Sequence, residues 1–593
     1  MRRPASNTTT NDADAQWRRA RCRSRRLRSA AVALVGLLAG SFALASPQYF
    51  IVGATQDAQG GQTHCDYENI QDAIDAAYAN GPAFDYLFIT STKPYANQVL
   101  TLHDQNLLID GRYDNCDLAP TDPPPAAVAI SGDGAHSVIS VTASSSAIEI
   151  DITALDISAG GDDGSGGGLD VRDAALVTLA GVRIHDNTSS AGGGIDVHPA
   201  TPNSGAIVEL LAGTRIDHNS SSGAGGGIHV VDGQLRLRAD DVVIEHNHAA
   251  SGGGVACVDC TVQVGYFGVV TQGAVATGAV IRNNTAAGDG GGVLIGGANA
   301  LLDAHELAID DNSAGGSGGG IAAYGDAHLT LQRDYPNVQS LNCGRSDPCL
   351  RIRGNSAGNG MPGSQGGGLM LTDGARADIA QALIADNAAG DGAAAYVRAS
   401  TFNAESVLFT GNRSADQVFP GSLIRAVNAA PFPAANVRVA FATFYGNLDL
   451  QTDATTRAAI DLIAAPGVQL SVFTTALYDA VYPLVAYSAY TSDCIVHRRG
   501  GLLDGHGINT REAFTGGFGD PPTPGFNNPN LGDFRLRSES FLTDYCDASL
   551  YAPTTRDIVL NEHCADDMRN PNDYGSCDIG AYESDHVFGN GYD

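Results

Sequence analysis

The sequence predicts an all-β chain, a single-stranded right-handed parallel β-helix (a solenoid) with an N-terminal capping helix, and three observations carry that reading. An apolar-x-x-Asn pattern recurs nine times between Ile184 and Asn447, and a glycine triplet recurs seven times between Gly166 and Gly368. The runs between them, such as Ala175 to Leu179, Ile207 to Leu211 and Gln234 to Arg238, are strand-length and lack helical periodicity. A repeat of this size cannot bury an inner face alone, so each coil must stack on copies of itself.

Residues 1–45 read as an export signal. An arginine-rich segment ends Arg25-Arg26-Leu27-Arg28, an apolar run follows from Ala30 to Ala45, and Ala43-Leu44-Ala45 closes it, so cleavage is expected between Ala45 and Ser46. The run is 16 residues long and contains Gly36, Gly40 and Ser41. A span needs about 20 apolar residues, so no integral membrane segment is expected after cleavage.

Residues 46–135 hold the cap and first coils. Ile70, Ile74, Ala77 and Tyr78 fall on one face of a helix predicted from Tyr67 to Asn80, which Gly81-Pro82 stops and which should plug the N-terminal mouth. Tyr86 to Ile89 and Val99 to Leu102 then begin the coils.

Residues 136–450 are the central repeats. The repeated Asn are Asn187, Asn219, Asn247, Asn284, Asn312, Asn355, Asn387, Asn412 and Asn447, each three residues after Ile or Phe. The apolar residue should stack on its like in the core. Asn at the turn can adopt a left-handed backbone and pass its amide to the Asn of the next coil, making a ladder along the axis. The triplets start at Gly166, Gly192, Gly225, Gly252, Gly290, Gly318 and Gly366, and each precedes an apolar residue. They supply positive φ and close backbone approach. Gly164 to Asp170 comes near a calcium-binding nonapeptide without matching its register, so Ca²⁺ is a weak possibility and no cofactor is expected.

Residues 451–584 are read as C-terminal coils and a closing segment, and 585–593 as a short tail. Ten Cys follow Cys22, an even number in an exported chain, so disulfides are expected. Cys65 with Cys116 and Cys343 with Cys349 are the expected pairs. Cys257 and Cys260 should join locally, since no second pair completes a zinc site. Cys494, Cys546, Cys564 and Cys577 leave three connectivities open.

The net charge is −31, and the leader removes nine Arg with only Asp12 and Asp14, so the exported chain is more acidic still. Such a surface repels nucleic-acid phosphates and anionic lipid, which excludes both as partners. A carbohydrate or another cell surface is the expected partner of what should be a monomer.

Cys65-Asp66-Tyr67 with Ile70 to Ile74, then Gly111-Arg112-Tyr113 and Cys116, resembles the entry segment of pectin-lyase-like parallel β-helix proteins. The central Asn and Gly patterns are similar to the repeats of polymorphic outer-membrane proteins. Gly532 to Leu536, Asp544, Asp566 to Arg569 and Cys577 to Glu583 resemble the closing segment of the choice-of-anchor Q family, with Phe541 where that family has Pro. The resemblance implies a bacterial cell-surface or secreted protein, outer-membrane associated or extracellular, with an adhesive or undefined role.

The same residues complete no recognisable catalytic constellation, and no catalytic residue is expected. A lyase needs Arg or Lys beside carboxylates that hold Ca²⁺, but Lys93 is the only Lys and no coil shows Arg beside a compact Asp cluster. A hydrolase needs converging carboxylates; Asp162-Asp163, Asp240-Asp241, Asp310-Asp311 and Asp566-Asp567 are pairs whose members point to opposite faces. Gly505-His506-Gly507 matches a polygalacturonase element whose companion motifs are missing. His185, His218, His246 and His248 lie beside the repeated Asn and form a partial surface column. Polysaccharide lyase or glycoside hydrolase activity on acidic glycans is the alternative to a non-catalytic binding role.

Overall fold

In the computed structural model the described residues run from 46 to 583, interrupted at 56–63, 119–126, 145–147, 200–204, 266–277, 334–349, 359–362, 415–421, 450–457, 463–467, 498–507, 515–524, 565–574 and at breaks of one to three residues. Ser46–Asp593 forms one compact unit, distinct from Met1–Ala45. Among the described residues it holds a single α-helix, and nearly every strand pairing is parallel.

One coil shows the plan of all. Ile195–His198 belongs to a 13-stranded sheet, called sheet I here. Ile207–Leu210 and Arg215–Asp217 belong to a 28-stranded sheet that takes two strands from each coil, sheet II. Ser220–Ser221 belongs to a 9-stranded sheet of two-residue strands, sheet III. Gly225 to Gly227 then turn the chain into Ile228–Val231, directly over Ile195 in sheet I. The result is the predicted parallel β-helix.

The apolar column stacks like on like. Ile184, Ile216, Ile244, Ile281, Ile309, Ile352 and Ile384 are consecutive partners, and the column passes to Phe409 and Phe444, whose rings stack at 4.4 Å. These side chains belong to one continuous core reaching from Val52 to Ile495.

The asparagine ladder is complete. Each of the nine Asn is buried, and eight side-chain bonds of 3.0–3.1 Å join them in order. Each rung also donates to the carbonyl of a neighbouring coil's core residue, as Asn312 does to Ile281. At about 4.8 Å per coil the ladder rises on the order of 40 Å. One expectation fails: the left-handed residue is not Asn but the one before it, Asp186, His218, His246, Asn283, Asp311, Gly354, Asp386, Gly411 or Gly446. That residue turns the corner, and the Asn after it aims its amide along the axis.

The glycine triplets divide their work. In six of the seven, the first Gly has positive φ; Gly166 is the exception. The second and third have ordinary φ and are required by crowding. A Cβ at Gly193 would stand 2.5 Å from the carbonyl oxygen of Gly226, and one at Gly194 would stand 2.9 Å from Asn219 Nδ2.

The cap is the helix Ile70–Ala79, with Asn69 accepting from the Gln71 amide at its N-terminus. Its buried face is Ile70, Ala73, Ile74 and Ala77; Tyr78 is 55 % exposed, contrary to expectation. Residue 78 stands about 100° round from Ala77, outside the stripe, whereas residue 73 lies within it. Gln71 does what a further strand would do. Its Nε2 donates to the Thr101 carbonyl at 3.1 Å and its Oε1 accepts from the Thr101 amide at 2.9 Å, covering the open edge of sheet I.

The closing segment lies along the side of the stack. Phe526–Asn528 pairs antiparallel with Asp533–Leu536, and Leu542, Cys546, Ile558, Ile579 and Tyr582 join Leu408, Phe441 and Phe473 in a second apolar cluster. Its polar ties reach Gln381, Ser406, Thr443 and Thr474, which belong to successive coils. They meet the corner between the two strands of sheet II, where Gln381, Ser406, Phe441, Thr474 and Cys494 all have positive φ.

Cys65 is bonded to Cys116 and Cys257 to Cys260, as expected, and the open connectivity resolves as Cys494 with Cys546 and Cys564 with Cys577. Cys343 and Cys349 lie outside the described residues. No described helix is long and apolar enough to cross a membrane.

Candidate functional site

Successive residues of a strand alternate between faces, so sheet I presents two outward columns. The first is the second residue after each triplet: Asp170, Asp196, His229, Ala256, Leu294, Ala322 and Met370, continued by Tyr396 and Arg425. The second column includes Arg172 and His198, then Tyr324, Thr372 and Arg398. The first Gly of each triplet folds over the first column. A Cβ at Gly225 would stand 2.7 Å from His229 Cβ, which is why this outward column is largely buried.

The start of this face carries charge. Asp170 and Asp196 are direct partners on adjacent strands. Asp170 Oδ2 accepts from Arg172 Nε at 2.7 Å and from Ser140 Oγ at 3.3 Å. Asp196 Oδ1 meets His229 Nδ1 at 2.8 Å. His198 Nδ1 lies between the two acids, 2.9 Å from Asp196 Oδ2 and 3.5 Å from Asp170 Oδ1, but is not aligned for a hydrogen bond with either. Burial pushes the Asp170 carboxyl up, against the pull of Arg172 and His198. Burial pushes Asp196 the same way, yet the His198 and His229 imidazoles facing it win and hold it at about 2. The Asp196 carboxylate in turn raises the His198 imidazole. The expectation that no coil shows Arg beside a compact acidic cluster is corrected here, because stacking joins residues that sequence keeps a coil apart. Among the described residues, Asp170, Asp196 and His198 are the group able to hold a metal ion.

Further along, the face opens into a cleft of about 410 Å³ whose lining includes Asp289, Leu294, Tyr324, Met370, Asp373 and Arg398. The Tyr324 ring lies over Gly296, where a Cβ would stand 2.0 Å from the ring. Arg398 Nη1 donates to Thr372 Oγ1 at 3.2 Å. Aromatic surface, guanidinium and carboxylate thus share one cleft.

Sheet II carries a second charged array. Arg183 and Arg215 hold Asp217, Arg215 and Arg282 hold Glu245, and Arg351 holds Asp310 at 2.6 Å. Asp217 sits at about 2, because bonds from Arg183 and His218 outweigh its burial. Of the expected histidine column, His218 and His246 stack at 5.1 Å, His185 binds Asp156 and Asp186, and His248 lies on sheet III in a shallow depression with Thr188 and Ser220. Lys93 donates to the Glu68 carbonyl beside the cap. Asp311 occupies a turn, whereas His506, Asp162-Asp163 and Asp566-Asp567 lie outside the described residues.

A cleft of about 260 Å³ lies between sheet II and the closing segment, lined by Asp378, Asn403, Glu405, Arg438, Tyr551 and Thr554. Both carboxylates are engaged: Glu405 by Tyr551 and Thr554, and Asp378 by Arg376, Asn403 and His328. Nearby, Ser406 Oγ lies 2.6 Å from His563 Nε2, and His563 Nδ1 lies 3.3 Å from Glu583 Oε2. The order is that of a hydrolytic triad. Ser406 is 0 % exposed, and the side chains of His563 and Glu583 are 1 % exposed, so a substrate cannot reach them. Their work is to fasten the closing segment.

No family model matches the chain, and no curated protein matches it.

Proposed function

We propose that this is an exported, non-catalytic β-helix protein of the cell surface or extracellular space that binds an extended carbohydrate along the outer face of sheet I. The cleft around Tyr324 carries this reading. An aromatic ring, a guanidinium and carboxylates arranged on rigid strands are the mixture of apolar surface and placed polar groups that holds a ligand in orientation. Strands repeating at about 4.8 Å make such a face fit a polymer of like units. The disulfides and the leader-like first 45 residues support export.

Glycan arrays probed with the whole exported chain test it. Binding that falls at least tenfold in Tyr324→Ala and Arg398→Ala is the expected result; failure to bind any glycan or cell surface would count against it. Cell fractionation with and without residues 585–593 tests the surface location and the role of the tail.

One observation favours an enzymatic reading, namely that Asp378 and Glu405 line a single cleft. Incubation with acidic glycans, with and without Ca²⁺, would release new reducing ends or unsaturated products. Their loss in Asp378→Asn or Glu405→Gln would replace the binding reading.

A further inference from the structure

We infer that Asp170, Asp196 and His198 form a binding site for a divalent transition-type cation, Zn²⁺ foremost, on the outer face of sheet I. Around an ion with bonds of about 2.0–2.1 Å, tetrahedral ligands stand roughly 3.3 Å apart. The separations of His198 Nδ1 from Asp196 Oδ2, 2.9 Å, and from Asp170 Oδ1, 3.5 Å, bracket that value. All three donor atoms lie within 4.8 Å of one another.

The donor atoms are also the ones that neighbours leave over. Arg172 and Ser140 occupy Asp170 Oδ2, and His229 occupies Asp196 Oδ1, which orients the other oxygen of each carboxylate toward His198. Asp170 is 0 % exposed, yet its Oδ1 makes no hydrogen bond, and neither does His198 Nδ1. A buried carboxylate oxygen without a hydrogen bond is costly, and an ion would satisfy it. Register sets the two acids directly opposite each other, a repulsion that a dication offsets.

The donor set decides the class of ion. One imidazole with two carboxylates suits Zn²⁺ or Mn²⁺, whereas Ca²⁺ takes six to eight oxygens. Three protein donors leave a fourth position, the arrangement of sites that exchange a ligand. The His198 side chain is 30 % exposed, so that exchange has a route from solvent.

The test uses the whole exported chain, disulfides intact, stripped with chelator and titrated calorimetrically with Zn²⁺, Mn²⁺ and Ca²⁺. One Zn²⁺ should bind at this site, with affinity lowered at least tenfold in His198→Ala and Asp196→Asn and unchanged in His248→Ala. Zn²⁺ should also raise Tm of the native chain but not of Asp170→Asn, a near-isosteric change that stands in should His198→Ala fail to fold. Absence of Zn²⁺ binding, full binding by His198→Ala, or preference for Ca²⁺ would each overturn the assignment.

Discussion

Asn312 makes two bonds with its side-chain oxygen and two with its nitrogen. It accepts from the Asn284 amide and Asn284 Nδ2 and donates to the Ile281 carbonyl and to Asn355 Oδ1, all at 2.9–3.0 Å. Replacing it with Ala strands buried partners on both sides, each costing about 1–3 kcal/mol. Asn312→Ala should therefore lower the denaturant midpoint markedly, while His248→Ala leaves it near the native value. A glycine pair separates crowding from backbone strain. A Cβ at Gly226 would stand 2.5 Å from the backbone oxygens of both Gly253 and His248, so Gly226→Ala must displace two coils. Overpacking of this kind costs typically 1–3 kcal/mol. Gly134 has φ +77° and open space around its Cβ position, so Gly134→Ala bears only the strain of a left-handed residue, about 1–2 kcal/mol. Thermal melts of the two variants compare these effects; a milder loss at Gly226 would contradict the crowding argument.

At the scale of elements, the closing segment depends on a buried neutral imidazole. Burial lowers the His563 pKa from 6.5, against the nearby charges of Asp557 and Glu405; Glu583 and Ser406 face the ring as well. Because the folded value lies below the unfolded one, the stability His563 contributes is complete above about 6.5 and lost as pH falls toward the folded value. The protection of amides in residues 540–583, taken relative to their intrinsic exchange rates, should fall as pH drops from 7.5 to 5, and this step should flatten in His563→Gln. An unchanged profile would assign the fastening to the apolar cluster and to the Cys494–Cys546 bond alone.

The same scale shows what could be read from the chain. The Ile-x-x-Asn and Gly-Gly-Gly patterns reveal the coil because each is a local solution to a turn repeated in register. The cap was legible from its periodicity, apart from Tyr78. The side-lying course of the closing segment was not, since its partners stand far away in sequence, as Thr443 does from Ala581. The Asp170 cluster left a usable signal. Leu169-Asp170, Ile195-Asp196 and Ile228-His229 occupy the same place after their triplets, and aligning those places would have stacked them into one column. Arg172 and His198 stand two residues after Asp170 and Asp196, on the same face of each strand, so the register between the two coils was the step that needed the fold.

For the molecule as a whole, charge sets the acid limit. Asp217 and Asp378 are both held at about 2 despite burial, Asp217 chiefly by Arg183 and His218, Asp378 chiefly by Arg376 and Asn403. Their folded values lie below the unfolded value of 3.8, so their contribution is present above that pH and disappears as pH falls through about 2. Tm should hold steady down to about pH 4 and then decline. Asp217→Asn should shrink that decline, and an equal decline in the variant would place the acid sensitivity elsewhere.

The spacing between ladder rungs varies from 25 to 43 residues, while the bonds joining those rungs stay at 3.0 Å. The number of residues between two rungs therefore does not set the stacking, because the strands that flank each interval pair in the same register as those of the shortest one. Beyond Leu331, Ile309 still pairs with Ile352 across the longest of these intervals. Evolution can thus change the length of the chain between two strands on an unchanged shaft, one coil at a time, without refounding the structure that carries it.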